Sequence, residues 1–454
     1  MSNDTKPPYT VGSPTVDMKS MRRPLLMEFD QAWGAPQYTD WIDESLSWKQ
    51  TCYLGDWSWL PDLKFTGPDS LRLFADVSVN TMDRFAVNQS KHIIHTNPDG
   101  KVVGEGILSR IGQDEFVEFG PSCLWTDFIR RQGNYDVQAE PVGWTKLQLQ
   151  GPTALHVLER ASGQEVRDIG FMRSTVVTIA GNEVRVLRQG MTGEIGFELQ
   201  ASRSHLGAIS DAIMSAGEEF GIRRMGAKVS MINHLEAGIP TVTLDYLPAF
   251  FDEWSSEYYA FADATLSPLF GGPIMDQNYR VAGSFHSDDI RDYYRSPVEL
   301  GWGNRINFDH NFIGMDALRE ELAAPRRVLR TLVWNSDDVL SVWGEFFKRG
   351  ESLPDWMEIP RERRGYMWAD QVQQDGRTVA VSTSRGYSAH FRQMLSLAVV
   401  DVEASEIGQS LTLLYGNPGT PQREIRVTVA AAPYKDDHAR VDLSALPRTA
   451  GLVG

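Results

Sequence analysis

Two cysteines in 454 residues, Cys52 and Cys123, are too few for a disulfide framework and lack the paired spacing of a zinc site. The nine histidines are scattered, with no HxxxH or HExxH, so metal catalysis has no sequence support. Positive charge is also in deficit. A formal net charge of -16 repels a polyphosphate backbone, which argues against nucleic acid as a partner. No apolar run approaches the ~18–20 residues of a membrane span. The polar start, Met1 to Met18, holds no apolar stretch long enough for a signal peptide. No membrane partner and a reducing cytoplasm are therefore expected.

What is present is a globular chain. Its 42% hydrophobic and 23% charged residues supply material for a sizeable core, and its length suits two or three domains. Pro7, Pro8, Pro14, Pro24 and Pro36 make the first ~40 residues an arm, since such spacing precludes long helices. WIDESLSW (Trp41–Trp48) suits a short helix. Asp62–Phe65 followed by GPDSL (Gly67–Leu71) suits a strand, a turn and a helix capped by Asp69 or Pro68. Leu147–Gln150 followed by GPTALHVLER (Gly151–Arg160) repeats that layout, which implies a duplicated α/β core.

Between the two copies, His92–His95, Val102–Leu108 and Phe116–Phe119 predict a β-meander. Thr175–Ile179 and Val184–Leu187 continue the antiparallel theme, and Ser204–Glu219 has helical periodicity. After AAPRR (Ala323–Arg327) the composition shifts to strands at Leu329–Val333, Thr378–Ser384, Gln393–Val400, Ser410–Tyr415 and Glu424–Ala430. These predict a small antiparallel barrel, with Trp343–Gly350 and Pro354–Arg364 as an insertion.

The stretch richest in chemistry is LRQGMTGEIGFEL (Leu187–Leu199). It reads as a β-hairpin whose Thr192-Gly193-Glu194 tip needs positive φ. Phe197 and Leu199 would face the core, so Glu198, one residue out of phase, projects to the other face of its strand. One ionised carboxylate there can accept both a ring N–H and the neighbouring exocyclic NH₂ of a pterin or guanine-like ring.

This hairpin resembles the hallmark of the T-protein aminomethyltransferase family, a Gly-Tyr-Thr-Gly-Glu-x-Gly-Phe-Glu run, with Met191 in place of its aromatic. ELGWGNRINFDHNFIGMDAL (Glu299–Leu318), expected as a strand and a helix after Gly314, and HLEAGI (His234–Ile239) are similar to further family segments, as is the closing run Thr378–Tyr387 with Pro433-Tyr434. Within the family the chain looks nearest to the tetrahydrofolate-dependent vanillate and syringate O-demethylases, through Phe285–Leu318, YLGDWSWLPDLKFTGPDSL (Tyr53–Leu71) and Gly104–Gly120.

The resemblance implies an α+β fold: two interlocked α/β subdomains over residues 41–323, after an arm at 1–40, and a C-terminal antiparallel β-barrel over 324–454. It implies tetrahydrofolate as cofactor, with Glu198 as pterin anchor and Phe171, Glu105 and Trp57 beside it, and a small aromatic substrate near Ser122, Tyr258 and Trp59. Where glycine-cleavage members carry Asp-Asp, this chain has Gly104-Glu105-Gly106, which disfavours aminomethyl transfer. Where demethylases of benzoates carry an arginine, Gly120 is followed by Pro121-Ser122, so a substrate carboxylate lacks its charge partner. Their catalytic tyrosine aligns with Ser230, a poor acid for an aryloxide.

Asp56, followed by the aromatic Trp57 and Trp59, together with Glu105 and with Tyr246 and Tyr258 of the aromatic segment Tyr246–Phe261, are the replacement acid or base candidates beside Ser230. The expected reaction is methyl transfer from a methoxylated, lignin-derived aromatic to tetrahydrofolate. Its alternatives are a formaldehyde-releasing C–C lyase on a hydroxymethyl-bearing aromatic dimer, and a non-catalytic folate-binding protein. The chain reads as a monomer or a homo-oligomer.

Overall fold

The computed structural model describes residues 21–22, 34–270, 279–350, 352–362 and 366–449. Most of the expected 1–40 arm, namely residues 1–20 and 23–33, lies outside the described residues. Helix α1 (Trp41–Gln50) starts where the Asp40 carboxylate accepts the Ile42 amide, and it leads into β1 (Tyr53–Asp56). The first half continues with β2 (Asp62–Thr66), α2 (Ser70–Val77), β3 (Gln89–Thr96), β4 (Val102–Arg110), β5 (Glu115–Phe119), α3 (Ser122–Gln132) and β6 (Gln138–Pro141). The second half comprises β7 (Trp144–Gln150), α4 (Ala154–Ser162), β8 (Ser174–Ile179), β9 (Asn182–Arg188), β10 (Gly196–Ser202), α5 (Leu206–Gly217) and β11 (Arg223–Arg224). There follow α6 (Ile232–Glu236), α7 (Ser256–Phe270), β12 (Arg280–Ala282) and α8 (Met315–Ala323). The last part holds β13 (Arg327–Trp334), α9 (Ser336–Glu345), β14 (Tyr366–Trp368), β15 (Asp370–Gln374), β16 (Arg377–Ser388), β17 (Gln393–Asp401), β18 (Ser410–Tyr415) and β19 (Arg423–Ala430).

Two sheets carry the body, ordered β3-β4-β5-β2-β6 and β11-β1-β7-β10-β9-β8, while β13-β17-β16-β15-β18-β19 close into a barrel. Strand β1 precedes β2 in sequence yet joins the second sheet, so the halves are interlocked. The duplicated turn has one physical cause in both copies. Gly67 at φ 154° and Gly151 at φ 132° sit where an added Cβ would meet the Asp136 and Thr51 carbonyl oxygens, at 2.0 and 2.4 Å. Only glycine lets the strand-to-helix turn pack so close to another backbone.

The structure differs from the expectations at four places. Asp69 occupies the N-cap position of α2 without a capping bond; its carboxylate is held by Arg72 and the Asp136 amide. Glu299–Trp302 is a turn and not a strand, because the Glu299 carboxylate accepts its own Ser296 amide and closes the loop. Strand β15 was not foreseen, since DQVQQ is too polar to read as a strand without its barrel neighbours. The tail after the barrel returns to the second half, where Leu443 joins the α4 core and Arg167 donates to the Leu446 and Pro447 carbonyls. Among the described residues no helix is long and apolar enough to cross a membrane.

Glu299 joins the first sheet to the barrel. It takes hydrogen bonds from Lys101 Nζ at 2.9 Å and the Ser296 amide at 2.8 Å, and pairs with Arg327 at the start of β13. Burial by itself would raise its pKa, but the charges of Lys101, Arg327 and Arg295 outweigh burial and hold it down at about 2. A depressed carboxylate stabilises the fold above the ordinary carboxylate pKa, and that contribution fades as pH falls towards 2. Glu299→Gln is expected to cost roughly 3 kcal/mol at pH 7, as for one partner of a buried pair. Urea unfolding of both chains checks this: the gap should narrow between pH 5 and pH 3, and a gap constant with pH would exclude the ionic network as its source.

Candidate functional site

The central feature is one face of the second sheet. Register pairs Glu198 with Gln148 and Gln148 with Gly55 across β10, β7 and β1, and the next rows hold Gln200 with Lys146 and Gly196 with Gln150 and Tyr53. Paired residues share a face, so Tyr53, Lys146, Gln148, Gln150, Glu198 and Gln200 line one side. Leu147, Leu149, Phe197 and Leu199 line the other, against helices α4 and α5. All of these side chains are buried. On β9 the buried Leu187 pairs with Glu198 and bounds this face, so the polar part spans β1, β7 and β10, and buried polar groups there have to be satisfied by something.

Glu198 is the centre of that face. Gln189 Nε2 donates to its Oε2 at 2.8 Å and Gln200 Nε2 to its Oε1 at 2.7 Å. Burial raises its pKa, opposed by the Gln200 bond, the Lys146 charge and the Gln189 bond. Each carboxylate oxygen keeps a lone pair after these bonds, and Gln200 Oε1 is buried with no partner among the described residues. The site therefore presents three adjacent acceptors that ask for N–H donors. A pterin edge, with ring N–H beside exocyclic NH₂, fits this demand.

Next to this face stand Trp57 and His234, rings parallel within 2° at 5.6 Å, with Trp59 stacked on Trp57 at 6.3 Å. His234 was not foreseen as a site residue. Its Nδ1 meets Thr241 Oγ1 at 3.1 Å, its Nε2 is buried without a partner among the described residues, and burial drops its pKa to about 4. The imidazole is thus neutral at physiological pH. Its trace in the sequence is one of three polar residues in the buried helix INHLE, which alone does not separate a site from a satisfied core histidine.

The remaining expected residues fall into three groups. Asp56 ends β1 and accepts the Ser58 amide at 2.8 Å, so its carboxylate closes a turn. Ser230 is wholly buried; it donates to the Ala227 carbonyl at 2.8 Å and accepts from Arg361 Nη2 at 2.8 Å, which commits its proton elsewhere. Ser122, at the start of α3, donates to Glu118 Oε1 at 2.6 Å, and Glu118 holds His95 at 3.0 Å, in a buried network under Gly104 and Gly106.

Tyr258 is packed among Trp125, Phe128 and Phe250 in the first core. Phe171 is half-buried under the Arg440 guanidinium at 4.7 Å. Glu105 Oε2 accepts a hydrogen bond from His92 Nε2 at 2.8 Å, and His92 stands edge-on to Trp302. Tyr246 is edge-on to the same Trp302, fully buried, with a hydroxyl that meets no partner among the described residues. Burial, then the Glu105 charge, keeps that hydroxyl protonated far above its ordinary range. The structure thus gathers Trp57 and Trp59 in one cluster and Glu105 and Tyr246 in another, and leaves Phe171, Ser122 and Tyr258 outside both. Among the described residues no group of three or more His, Cys, Asp or Glu could hold a metal ion.

Fold and polar face together define a member of the aminomethyltransferase class. Residues 12–250 match the model of the GCVT N-terminal domain, and the chain belongs to that family. It is 32% identical over 432 residues to the sesamin methylene transferase of Sinomonas sp., covering 91% of this chain and 93% of that one. It is 30% identical over 427 residues to the syringate O-demethylase of Sphingobium sp., covering 88% and 90%. An aminomethyltransferase of Halothermothrix orenii is 25% identical over 399 residues, 86% and 92% of the two chains. In structure, the glycine cleavage system aminomethyltransferase T of Bartonella henselae superposes with TM-score 0.64 at 17% identity, over 92% of this chain and 96% of that one, which establishes the fold.

A buried hydroxyl with no partner costs stability, so removing it should help. Tyr246→Phe is expected to stabilise the free protein by about 1 kcal/mol in urea unfolding, since the desolvation penalty goes and no bond is lost. A loss of stability instead would mean that the hydroxyl is bonded in the folded chain.

Proposed function

We propose that this protein is a tetrahydrofolate-dependent one-carbon transferase that takes a methyl group from a methoxylated aromatic compound, an aryl O-demethylase. The observation that carries the reading is the acceptor set of Glu198 and Gln200, buried and unsaturated in a chain of this family. Similarity to a syringate O-demethylase and a sesamin methylene transferase supports an oxygen-bound carbon on an aromatic ring as donor. Tetrahydrofolate, when bound, supplies the nucleophilic nitrogen that receives that carbon.

In this reading the residues divide the work. Glu198 and Gln200 hold the N–H edge of the pterin through charge-assisted bonds, which fixes the ring against rotation. Trp57, His234 and Trp59 offer flat faces that exclude water. The neutral His234 is no acid, but its Nε2, which has no partner among the described residues, can exchange a hydrogen bond with a bound ligand in the tautomer that the Thr241 contact selects. Tyr246 keeps its own proton through the working pH range, so its hydroxyl would serve the departing oxygen as a hydrogen-bond donor and not as the acid, and the released phenolate takes its proton from water.

Turnover of a panel of methoxylated aromatics with and without tetrahydrofolate tests this. One equivalent of 5-methyltetrahydrofolate per phenol formed is the expected result; free formaldehyde formed without tetrahydrofolate would replace the reading by the lyase, and folate binding without turnover by the binding protein. Glu198→Gln should weaken tetrahydrofolate binding at least ~100-fold in calorimetry, because an amide takes one of the two N–H groups and repels the other. Tyr246→Phe should lower kcat by at least about 10²-fold with little change in KM.

A further inference from the structure

Three segments from distant parts of the chain meet at the start of β3. Residues 170–173 are joined to it by the Ser90 amide, which donates to the Met172 carbonyl at 2.9 Å, and by a bridge between Gln89 and Arg173. The turn Gly303–Arg305 follows Trp302, whose ring meets that of His92 at 4.9 Å, and His92 lies two residues from Ser90 on the same face of β3. The third segment is the tail after the barrel. Arg188 donates to the Ala439 and Val441 carbonyls while its own amide and carbonyl pair with Arg173 and Met172, which sets the Arg440 guanidinium 4.7 Å from the centre of the Phe171 ring.

Arg173, Arg305 and Arg440 are brought together here without counter-ions. Among the described residues none of the three guanidinium groups forms an ion pair or a side-chain hydrogen bond. Burial and then the Arg440 charge lower the Arg305 pKa, and no carboxylate draws it back up. Elsewhere in this chain comparable arginines have their acid: Arg167 holds Glu159, Arg223 holds Asp43 and Arg423 holds Glu345. The acids of the tail face their own backbone, Asp437 towards the Ala439 amide and Asp442 towards the Ser444 amide. In a protein of net charge -16, guanidinium groups left unpaired side by side ask for an anionic ligand.

The place adjoins the pterin anchor. Gln189, which donates to Glu198, directly follows Arg188, so residues 170–173 pair with the chain one residue before that support. Beyond its pterin, tetrahydrofolate continues into a flat aminobenzoyl ring and then glutamate. The ring is matched by Phe171, and carboxylates are matched by guanidinium forks. A single glutamate brings two carboxylates to three guanidinium groups, and each further γ-linked glutamate brings one more.

We propose that Arg173, Arg305 and Arg440 form, around Phe171, a subsite for the oligo-γ-glutamate tail of tetrahydrofolate, and that the protein prefers the cofactor with several glutamates to the one with a single glutamate. The inference rests on the folate reading above and names the form of folate taken.

Calorimetry on the full-length protein compares tetrahydrofolate monoglutamate with the pentaglutamate, at low and at high KCl. Expected is at least about tenfold tighter binding of the pentaglutamate at low salt, a gap that narrows as KCl rises. Arg305→Gln with Arg440→Gln should erase the gap, whereas Arg305→Lys with Arg440→Lys, which keeps both charges, should retain most of it. Equal affinity for the two forms, or a gap that survives in the Gln pair, overturns the proposal. So does loss of the gap in inorganic phosphate at constant ionic strength, because the arginines would then be a phosphate site. A pterin-free, fluorescently labelled penta-γ-glutamate separates this inference from the reading it rests on. If neither folate binds, yet the labelled peptide binds and is lost in the Gln pair, the folate reading fails and the anionic subsite stands. If the monoglutamate binds while the peptide does not and the gap is absent, the subsite fails and the folate reading stands.

Discussion

The structure depends on a carboxylate kept in a place where carboxylates are expensive. Glu198 lies on a strand whose neighbours, Phe197 and Leu199, are fully buried on the opposite face, so the pleat leaves it no route to solvent. An ionised group there costs several kcal/mol unless its lone pairs are met. Two glutamine amides and the nearby Lys146 charge offset part of that cost. The rest of the face repeats the theme, because Gln148 and Gln150 alternate with Leu147 and Leu149. A fold that wanted only stability would have placed apolar residues on both faces of so deeply buried a strand.

The hairpin that carries Glu198 is held at its tip by a cluster of charges from all parts of the chain. Glu194 binds Lys435 at 2.9 Å and His438 at 3.0 Å, and stands 3.7 Å from Lys49 of α1. Glu236 of α6 takes the Trp48 indole N–H at 2.8 Å and the Ser388 hydroxyl of β16. Burial and the adjacent Lys435 together lower the Lys49 pKa to about 8 against the pull of Glu236 and Glu194. The same ions thus fix the hairpin tip, the helix that bears His234 and the strand that bears Arg385. Removing the barrel contacts would loosen the polar face and the aromatic stack together.

Much of this was legible where a local rule decides the outcome. Strand period placed Glu198 opposite its apolar neighbours, and the paired Gly-Pro turns announced two copies of one unit, because only glycine tolerates the backbone contact at Gly67 and Gly151. The barrel strands showed as alternating runs. What stayed hidden is set by partners distant in sequence. Gln148 reads as an ordinary polar strand residue until the β7–β10 register puts it beside Glu198, and Arg385 reads as the end of a strand until the bulge turns it towards α6. Asp56 looked like an acid beside two tryptophans, but its carboxylate is used by the Ser58 amide two residues on. The departure at Ser122 was visible in the residues, whereas the buried network with Glu118 and His95 that fills the place was not.

The two buried histidines show how the fold separates structure from chemistry. His95 has both ring nitrogens engaged, Nδ1 with the Val77 carbonyl at 2.8 Å and Nε2 with Glu118 at 3.0 Å, so it has nothing left to offer a ligand. His234 has one nitrogen engaged and the other bare, against a stacked indole. The same contrast divides the hydroxyls: Ser230 and Ser122 are donors already spent, while Tyr246 is not. Buried polar groups are paired as a rule, so His234, Tyr246, Gln200 and Arg385 are exceptions. His234 on α6, Gln200 on β10, Arg385 on β16 and Tyr246 in the loop after α6 have in common that one buried polar atom of each meets no partner among the described residues. For Gln200 the missing partner is a donor, since the unpaired atom is its carbonyl oxygen beside the Glu198 carboxylate.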